Sequence, residues 1–293
     1  MGTGRPGGVY DIYGAAWGKI AQASSGVTIA YRASGGEASD ILLIEQGAAQ
    51  LGMTTVAVAD QARTGSAAWT AGVKFSSFRA LFPMFPSILQ IVTTRQAGIT
   101  NVAGLADRAI GIGPDGSSAI VAVPGILASI GVAPQRFSAG DFTAQMQDLL
   151  AGRLAACAFI GAPPLPAIAQ AAAHEQLALI GMTIDEARQV ARANSGMTPM
   201  LIPAGTFARQ SLPISSVGTA NFAIGAASLP ASLVAAITRA AINHRGTLAN
   251  AVPAAQLFNQ PNLIPPGHMP FHQGAAMALR SLGMNIPDRM VQG

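Results

Sequence analysis

The spacing of apolar positions along this chain switches repeatedly between helical and extended periods. In "VYDIYGAAWGKIAQ" they fall at helical spacing through Ile20, and "GVTIAYRASGG" then reads as a strand ending in a glycine-rich turn. "EASDILLIEQGAAQLGMTT" predicts a helix and a short strand. "PSILQIVTTRQAGITNVAGLADRAIGIGPDGSSAIVAVPGILASIG" predicts strand, short helix, strand, glycine turn and helix, and "TAQMQDLLAGRLAACAFIGAPP" repeats helix then strand. Alternation of this kind builds parallel sheet flanked by helices, an α/β fold.

A single continuous sheet does not account for the whole pattern. The β-rich segment 88–95 and the apolar segment 214–226, "ISSVGTANFAIGA", bracket a compact α/β unit. The helix of "LPASLVAAITRAAINHRGTLAN" cannot join that unit by a short loop. The economical arrangement has the chain leave one lobe near residue 94 and return near 204. Lobe 1 is then discontinuous, 1–94 plus 204–293, lobe 2 is 95–203, two hinge crossings join them, and the ligand cleft is expected between the two lobes. In open α/β sheets ligands sit beyond the carboxyl ends of strands, where loops turn into helices.

A G-x-G-x-x-G spacing falls at such a place in each lobe, at residues 2–7 and 111–116. A dinucleotide site needs a strand before the turn and an acid about 20 residues beyond it. The first turn has only Met1 before it, and residues 23–32 supply no acid, although Arg32 suits a 2′-phosphate. An NADP-dependent oxidoreductase is therefore kept as the alternative; a P-loop is excluded at both turns by the missing Gly-Lys-Ser/Thr. Plain turn formation would explain the glycines, but not the residues next to them. "RPGGVY" offers successive backbone N–H groups, and Ser117 and Ser118 add hydroxyls at a helix start, where either would serve as an ordinary N-cap. Helix N-termini attract anions, and two of them facing one cleft would grip a small carboxylate from both sides.

Composition narrows the choice further. Half the residues are hydrophobic and 10% are charged, which raises the question of a membrane protein. Two long uncharged stretches, 154–173 and 219–238, are interrupted by Pro163, Pro164 and Pro166 in the first and by Asn221 and Pro230 in the second. Neither is the run of roughly 20 apolar residues that a spanning helix needs. The net charge of +4 reflects scarce acids, with no cluster of Lys and Arg, so no nucleic-acid partner is expected. The single cysteine, Cys157, reads as a small buried hydrophobe. His174, His244, His268 and His272 lack metal spacing, and no H-E-x-x-H, C-x-x-C or G-x-S-x-G is present. No catalytic residue, metal or cofactor is expected, and "TIDEARQ" reads as a solvated helix start.

The segments "GTGRPGGVYDIYG", "YRASGGEASDILL", "IGIGPDGSSA", "GRLAACAFIGAPPLPAI", "IPAGTF" and "FHQGAA" occur in the order and spacing of a known family. From residue 2 to about 278 the chain resembles the TAXI solute receptors, the substrate-binding proteins of one branch of the TRAP transporters. The resemblance implies a type II periplasmic-binding-protein fold that closes its lobes over a small organic ligand, in the manner of a Venus flytrap. It also implies a monomeric periplasmic protein, its signal peptide removed, that delivers a small organic acid to a TRAP-type integral membrane permease. A sensor of the same fold, presenting its closed form to a signalling partner, is the other alternative.

Ligand-binding positions implied by the resemblance are Gly4, Arg5, Gly8, Val9, Tyr10 and Tyr13 around the opening loop, and Ser34 and Gly35 on the next turn. Thr54 and Thr55 follow on a short strand, then Asp115, Ser117 and Ser118 at the second glycine turn, and Gly161, Ala162 and Pro163. Where the family's opening loop carries Ser and Thr, this chain has Arg5 and Pro6; where the family carries Gln-Ser-Asp, it has Thr55-Val56-Ala57. Loss of that acid argues against a zwitterionic amino acid, while Arg5 would grip a carboxylate bidentately. The expected ligand is a mono- or dicarboxylate, or an aromatic or hydroxylated acid. The strand that precedes the opening loop in the family is nearly absent, which reads as trimming at the amino end.

Overall fold

The computed structural model describes residues 1–115, 117–174, 177–258 and 267–291. The chain begins with α1 (Val9–Ser25), α2 (Glu37–Glu45), β1 (Leu51–Thr55), α3 (Val56–Thr64) and the long β2 (Phe78–Thr94). It continues with β3 (Ala109–Gly111), α4 (Ser118–Ser129), β4 (Arg136–Ser138), α5 (Phe142–Leu150) and β5 (Ala156–Gly161). Then come α6 (Pro166–His174), β6 (Leu177–Ile180), α7 (Ile184–Ala193), β7 (Thr198–Ile202) and the long β8 (Ile214–Ala226). Helices α8 (Ala231–Asn243), α9 (Arg245–Ala251) and α10 (Gln273–Ser281) complete the described chain. No helix among the described residues is long and apolar enough to cross a membrane.

The chain forms two compact units, Met1–Pro86 with Ala220–Gly293, and Ser87–Thr219. It passes from one to the other inside β2 and returns inside β8, not at the outer ends near 94 and 204 expected from sequence. The reason is length. β2 runs for 17 residues from Phe78, well before the segment 88–95 that the apolar pattern marked. Pro83 and Pro86 hide its first half from pattern reading, because proline lacks the ladder N–H.

In the first unit β1 runs antiparallel to the end of β8, from Leu51 opposite Gly225 to Thr55 opposite Asn221. Helix α1 packs on α8 and α9, with Trp17 fully buried and edge-on to Phe82 at 5.3 Å between ring centroids. Gly26, in the left-handed conformation at φ 72°, ends α1 by closing on Gln22 O. The strand expected over "GVTIAYRASGG" is reduced to one parallel bridge, Gly2 with Arg32. Its partner is short: only Met1–Thr3 runs alongside, and Gly2 N also donates to Leu51 O at 2.9 Å.

In the second unit β5 pairs antiparallel with β2, Leu89 opposite Ile160, and parallel with β3, Ile110 opposite Ala156. β4 extends the parallel set, while β6 and β7 pair antiparallel with β2 and β8. The core here gathers Leu89, Ile91, Ile110, Val123, Ile126 and Val217. Gly218 is required by close approach: a Cβ there would sit 2.5 Å from Ser87 O. Cys157 is fully buried, and burial pushes its thiol up to about 12, as suits a small hydrophobe.

One buried carboxylate orders the first unit. Asp40, on α2, has no exposed surface. Its Oδ1 accepts from Ser34 Oγ at 2.5 Å and its Oδ2 from Met53 N at 3.0 Å, so it ties the turn after residue 32 to β1. Burial raises its pKa to about 6; the Ser34 and Met53 hydrogen bonds oppose the rise, and Glu37 adds to it. An unfolded aspartate titrates near 4, so the folded state holds this proton longer. The stability Asp40 contributes is therefore complete below about pH 4 and is lost as pH rises through about 6, a change of about 3 kcal/mol at full development. Asp40→Asn removes that dependence. Urea unfolding at pH 4.5 and 7.5 should show wild type losing about 2 kcal/mol relative to the variant on going up. A gap that stays constant with pH would mean that Asp40 titrates as an ordinary aspartate.

Candidate functional site

The opening loop of the first unit starts from Gly4, whose positive φ of 66° turns the chain away from its extended start. Gly4 N donates to Ser34 Oγ at 2.9 Å, and Ser34 N donates to Gly4 O at 2.8 Å. Arg5 comes next, exposed, and Gly8 N closes the turn on Arg5 O at 2.9 Å. Gly7 N is held by Asp11 Oδ2 at 2.9 Å. Gly8 is the N-cap of α1, so no side chain caps the first turn at Val9 and Tyr10.

The two tyrosines of α1 divide their roles. Tyr10 donates from its hydroxyl to Asn221 Oδ1 at 2.7 Å, and Asn221 Nδ2 donates to Phe85 O at 2.9 Å. Tyr13 packs its ring on Phe85 at 5.3 Å, and burial raises its pKa. Burial also raises the Tyr10 pKa well above its ordinary value, with the Glu37 and Asp40 carboxylates adding to the effect. Glu37 itself is pushed up by burial, against its own backbone N–H and the Arg5 guanidinium.

The structure brings Gly4, Arg5, Gly8, Val9, Tyr10 and Ser34 together at the start of α1, with the exposed Gly35 beside Ser34 in sequence. Thr54 and Thr55 point to opposite faces of β1. Thr55 lies opposite Asn221 and caps α3 by accepting from Val58 N at 3.2 Å. Thr54 lies opposite Phe222, fully buried, and its Oγ1 has no hydrogen-bond partner among the described residues.

In the second unit the predicted residues sit past the carboxyl ends of two neighbouring parallel strands, β3 and β5. Ser117 is the N-cap of α4 and Ser118 its first residue; Asp115 is exposed on the turn, and Gly116 lies outside the described residues. A serine at an N-cap ordinarily accepts from the first turn of its helix. Ser117 does not, and its buried Oγ has no hydrogen-bond partner among the described residues. At the end of β5, Gly161 O accepts from Gln90 Nε2 at 3.0 Å and Leu165 N donates to Gln90 Oε1 at 3.1 Å. Ala162 and Pro163 are buried between these two bonds.

Sequence reasoning passed over the residues that hold both loops in place. Gln145, 2% exposed, accepts from Gly113 N at 2.8 Å and donates to Ser138 O at 2.6 Å. Gln90, Asn221 and Asp40 play the same part elsewhere. The only signal was a lone polar residue inside an apolar run, as in "SILQIV", "TANFAIGA" and "DILLI". Among the described residues no group of three or more His, Cys, Asp or Glu could hold a metal ion.

Two α/β units crossed twice by long strands, with loops at strand ends and helix starts, define the fold of the solute-binding proteins. The chain is similar to a TctC solute-binding protein from Polaromonas, at 14% identity over 99% of this chain and 93% of that one, TM-score 0.56. It is also similar to PhnD1 from Prochlorococcus marinus in complex with methylphosphonate, at 11% identity over 97% and 98% of the chains, TM-score 0.56. A third likeness is to MatC from Rhodopseudomonas palustris with bound malate, at 10% identity over 87% and 88%, TM-score 0.54. The chain belongs to the NMT1-like family, which it matches over residues 1–283.

Removing the amide of Gln145 leaves the buried Gly113 N–H without its partner, at a desolvation cost, while Ser138 O keeps its bond from Ile112 N at 3.0 Å. Gln145→Leu should lose about 1–3 kcal/mol in urea unfolding with little change in far-UV circular dichroism. A loss below about 1 kcal/mol would mean that the Gly113 turn holds without it.

Proposed function

We propose that this protein is an extracytoplasmic solute receptor of the TAXI type. It closes over a small organic anion in the periplasm and passes it to a TRAP-type permease, without a catalytic step and without a cofactor. The reading rests above all on Ser117, a cap-type residue that does not cap its helix and keeps a buried hydroxyl unpartnered among the described residues. An anion at that helix start would receive the hydroxyl and the first-turn N–H groups together. In the first unit Arg5 and the uncapped N–H groups of Val9 and Tyr10 are assigned to a carboxylate. Ser118 and the backbone of Gly161, Ala162 and Pro163 are assigned supporting contacts. Malate and methylphosphonate, bound by MatC and PhnD1, are anions of this size.

A thermal-shift screen of the purified protein against short carboxylates, aromatic acids, amino acids and NADP tests the class. A ligand at a hundred times its Kd stabilises by about 2.7 kcal/mol, enough to move the midpoint visibly. For the acid that binds, Arg5→Ala should weaken affinity at least about tenfold by calorimetry, the scale of a lost charge-assisted contact. Unchanged affinity would remove Arg5 from the site, and stabilisation by NADP alone would overturn the receptor reading.

A further inference from the structure

The turns leading into α4 and α5 are joined. Ile112 N donates to Ser138 O at 3.0 Å and Gly140 N to Gly113 O at 2.9 Å, so the chain leaving β3 is tied to the chain leaving β4. Asp141 caps α5 with its own carboxylate, accepting from Thr143 N at 2.8 Å and Ala144 N at 3.3 Å. At α4 the buried Ser117 Oγ caps no first-turn N–H and has no hydrogen-bond partner among the described residues. Of these two helix starts, α4 is the one left open to an anion from outside.

What borders that hydroxyl is carbon. Gly113 has a positive φ of 82°, and a Cβ on it would sit 2.8 Å from Phe142 Cε1 and 3.4 Å from Ser117 Oγ. The ring edge and the hydroxyl therefore converge on one bare Cα. Phe142 is the first residue of α5 and partly buried, its ring held edge-on to the fully buried Phe159 at 4.9 Å between centroids. The polar groups of Gly113 are already engaged, its N–H by Gln145 Oε1 at 2.8 Å and its carbonyl by Gly140 N. An aromatic edge carries partial positive charge and sits well beside a carboxylate oxygen. It offers nothing to a hydroxyl or an ammonium.

Resting on the receptor reading, we infer that Phe142 is a specificity-determining residue and that the ligand carries an apolar group, alkyl or aryl, beside the carboxylate bound at Ser117. A hydroxyl or ammonium in that place would leave water for a ring edge and a Cα, with no hydrogen bond to replace those it gives up. About 60 Å² of hydrocarbon covered by the ring corresponds to about tenfold in affinity.

Acids that differ in one group near the carboxylate provide the test: isobutyrate, lactate and alanine; isovalerate and 3-hydroxybutyrate; phenylacetate, mandelate and phenylglycine. Calorimetry on the full chain should give the apolar member of the binding set at least about tenfold tighter affinity than its hydroxylated or aminated partner. A leucine side chain ends one carbon short of the phenylalanine Cε1. Phe142→Leu should therefore shrink the preference to within about threefold while largely keeping the packing on Phe159. Methionine reaches as far as the lost ring carbon, and Phe142→Met should restore most of the preference. A purely structural Phe142 would move all affinities together and leave their ratio unchanged. A preference intact in Phe142→Leu would overturn the inference and leave the receptor reading standing. A hydroxylated or aminated acid bound as tightly as its apolar partner would do the same, and would point to the exposed Asp115 of the same turn as its acceptor. If no member of any set binds the wild-type protein, the receptor reading fails for such acids and this inference with it.

Discussion

A carboxylate taken wholly out of water has to be met by donors, and in the first unit that requirement fixes the geometry of everything near the opening loop. Asp40 sits on α2 and draws in Ser34 from the preceding turn and Met53 from β1. Ser34, its proton given to Asp40, has lone pairs left for Gly4 N. The position of the loop before α1 is thus set two bonds away from the acid, through groups with no other freedom. A hydrophobic contact could supply similar stability but would not specify which atom of the loop faces which neighbour.

The second unit solves the same problem with amides. Gln90 and Gln145 each offer a donor and an acceptor from one planar group, so each can hold a carbonyl and an N–H of irregular backbone at once. Loops at strand ends need both, because their backbone groups have left the ladder and are not yet in a helix. The amides carry no charge and hold their loops alike across the physiological pH range. These two amides therefore add no pH dependence of their own, whereas Asp40 does.

Much of this arrangement was legible in the letters, for identifiable reasons. Segment 214–226 matches β8 at both ends because no proline or charge interrupts it, whereas Pro83 and Pro86 concealed the first half of β2. The glycine turns stood out because glycine spacing is local. Ser117 was legible as a cap by residue type, but its failure to cap depends on the hydrogen-bond geometry of the folded turn. Asn221 and Tyr10 meet across 211 residues of chain, and no window of sequence carries that pairing.

A guanidinium at a helix start attracts small anions, phosphate and sulfate included, since both the charge and the dipole act without regard to shape. Any selection by shape then depends on how firmly the loop around it is held. The opening loop is held from the buried interior: Asp40 reaches Gly4 through Ser34, and Asn221 fixes the Tyr10 side chain at the start of α1. The polar groups that position the loop are therefore the same ones that fold the unit.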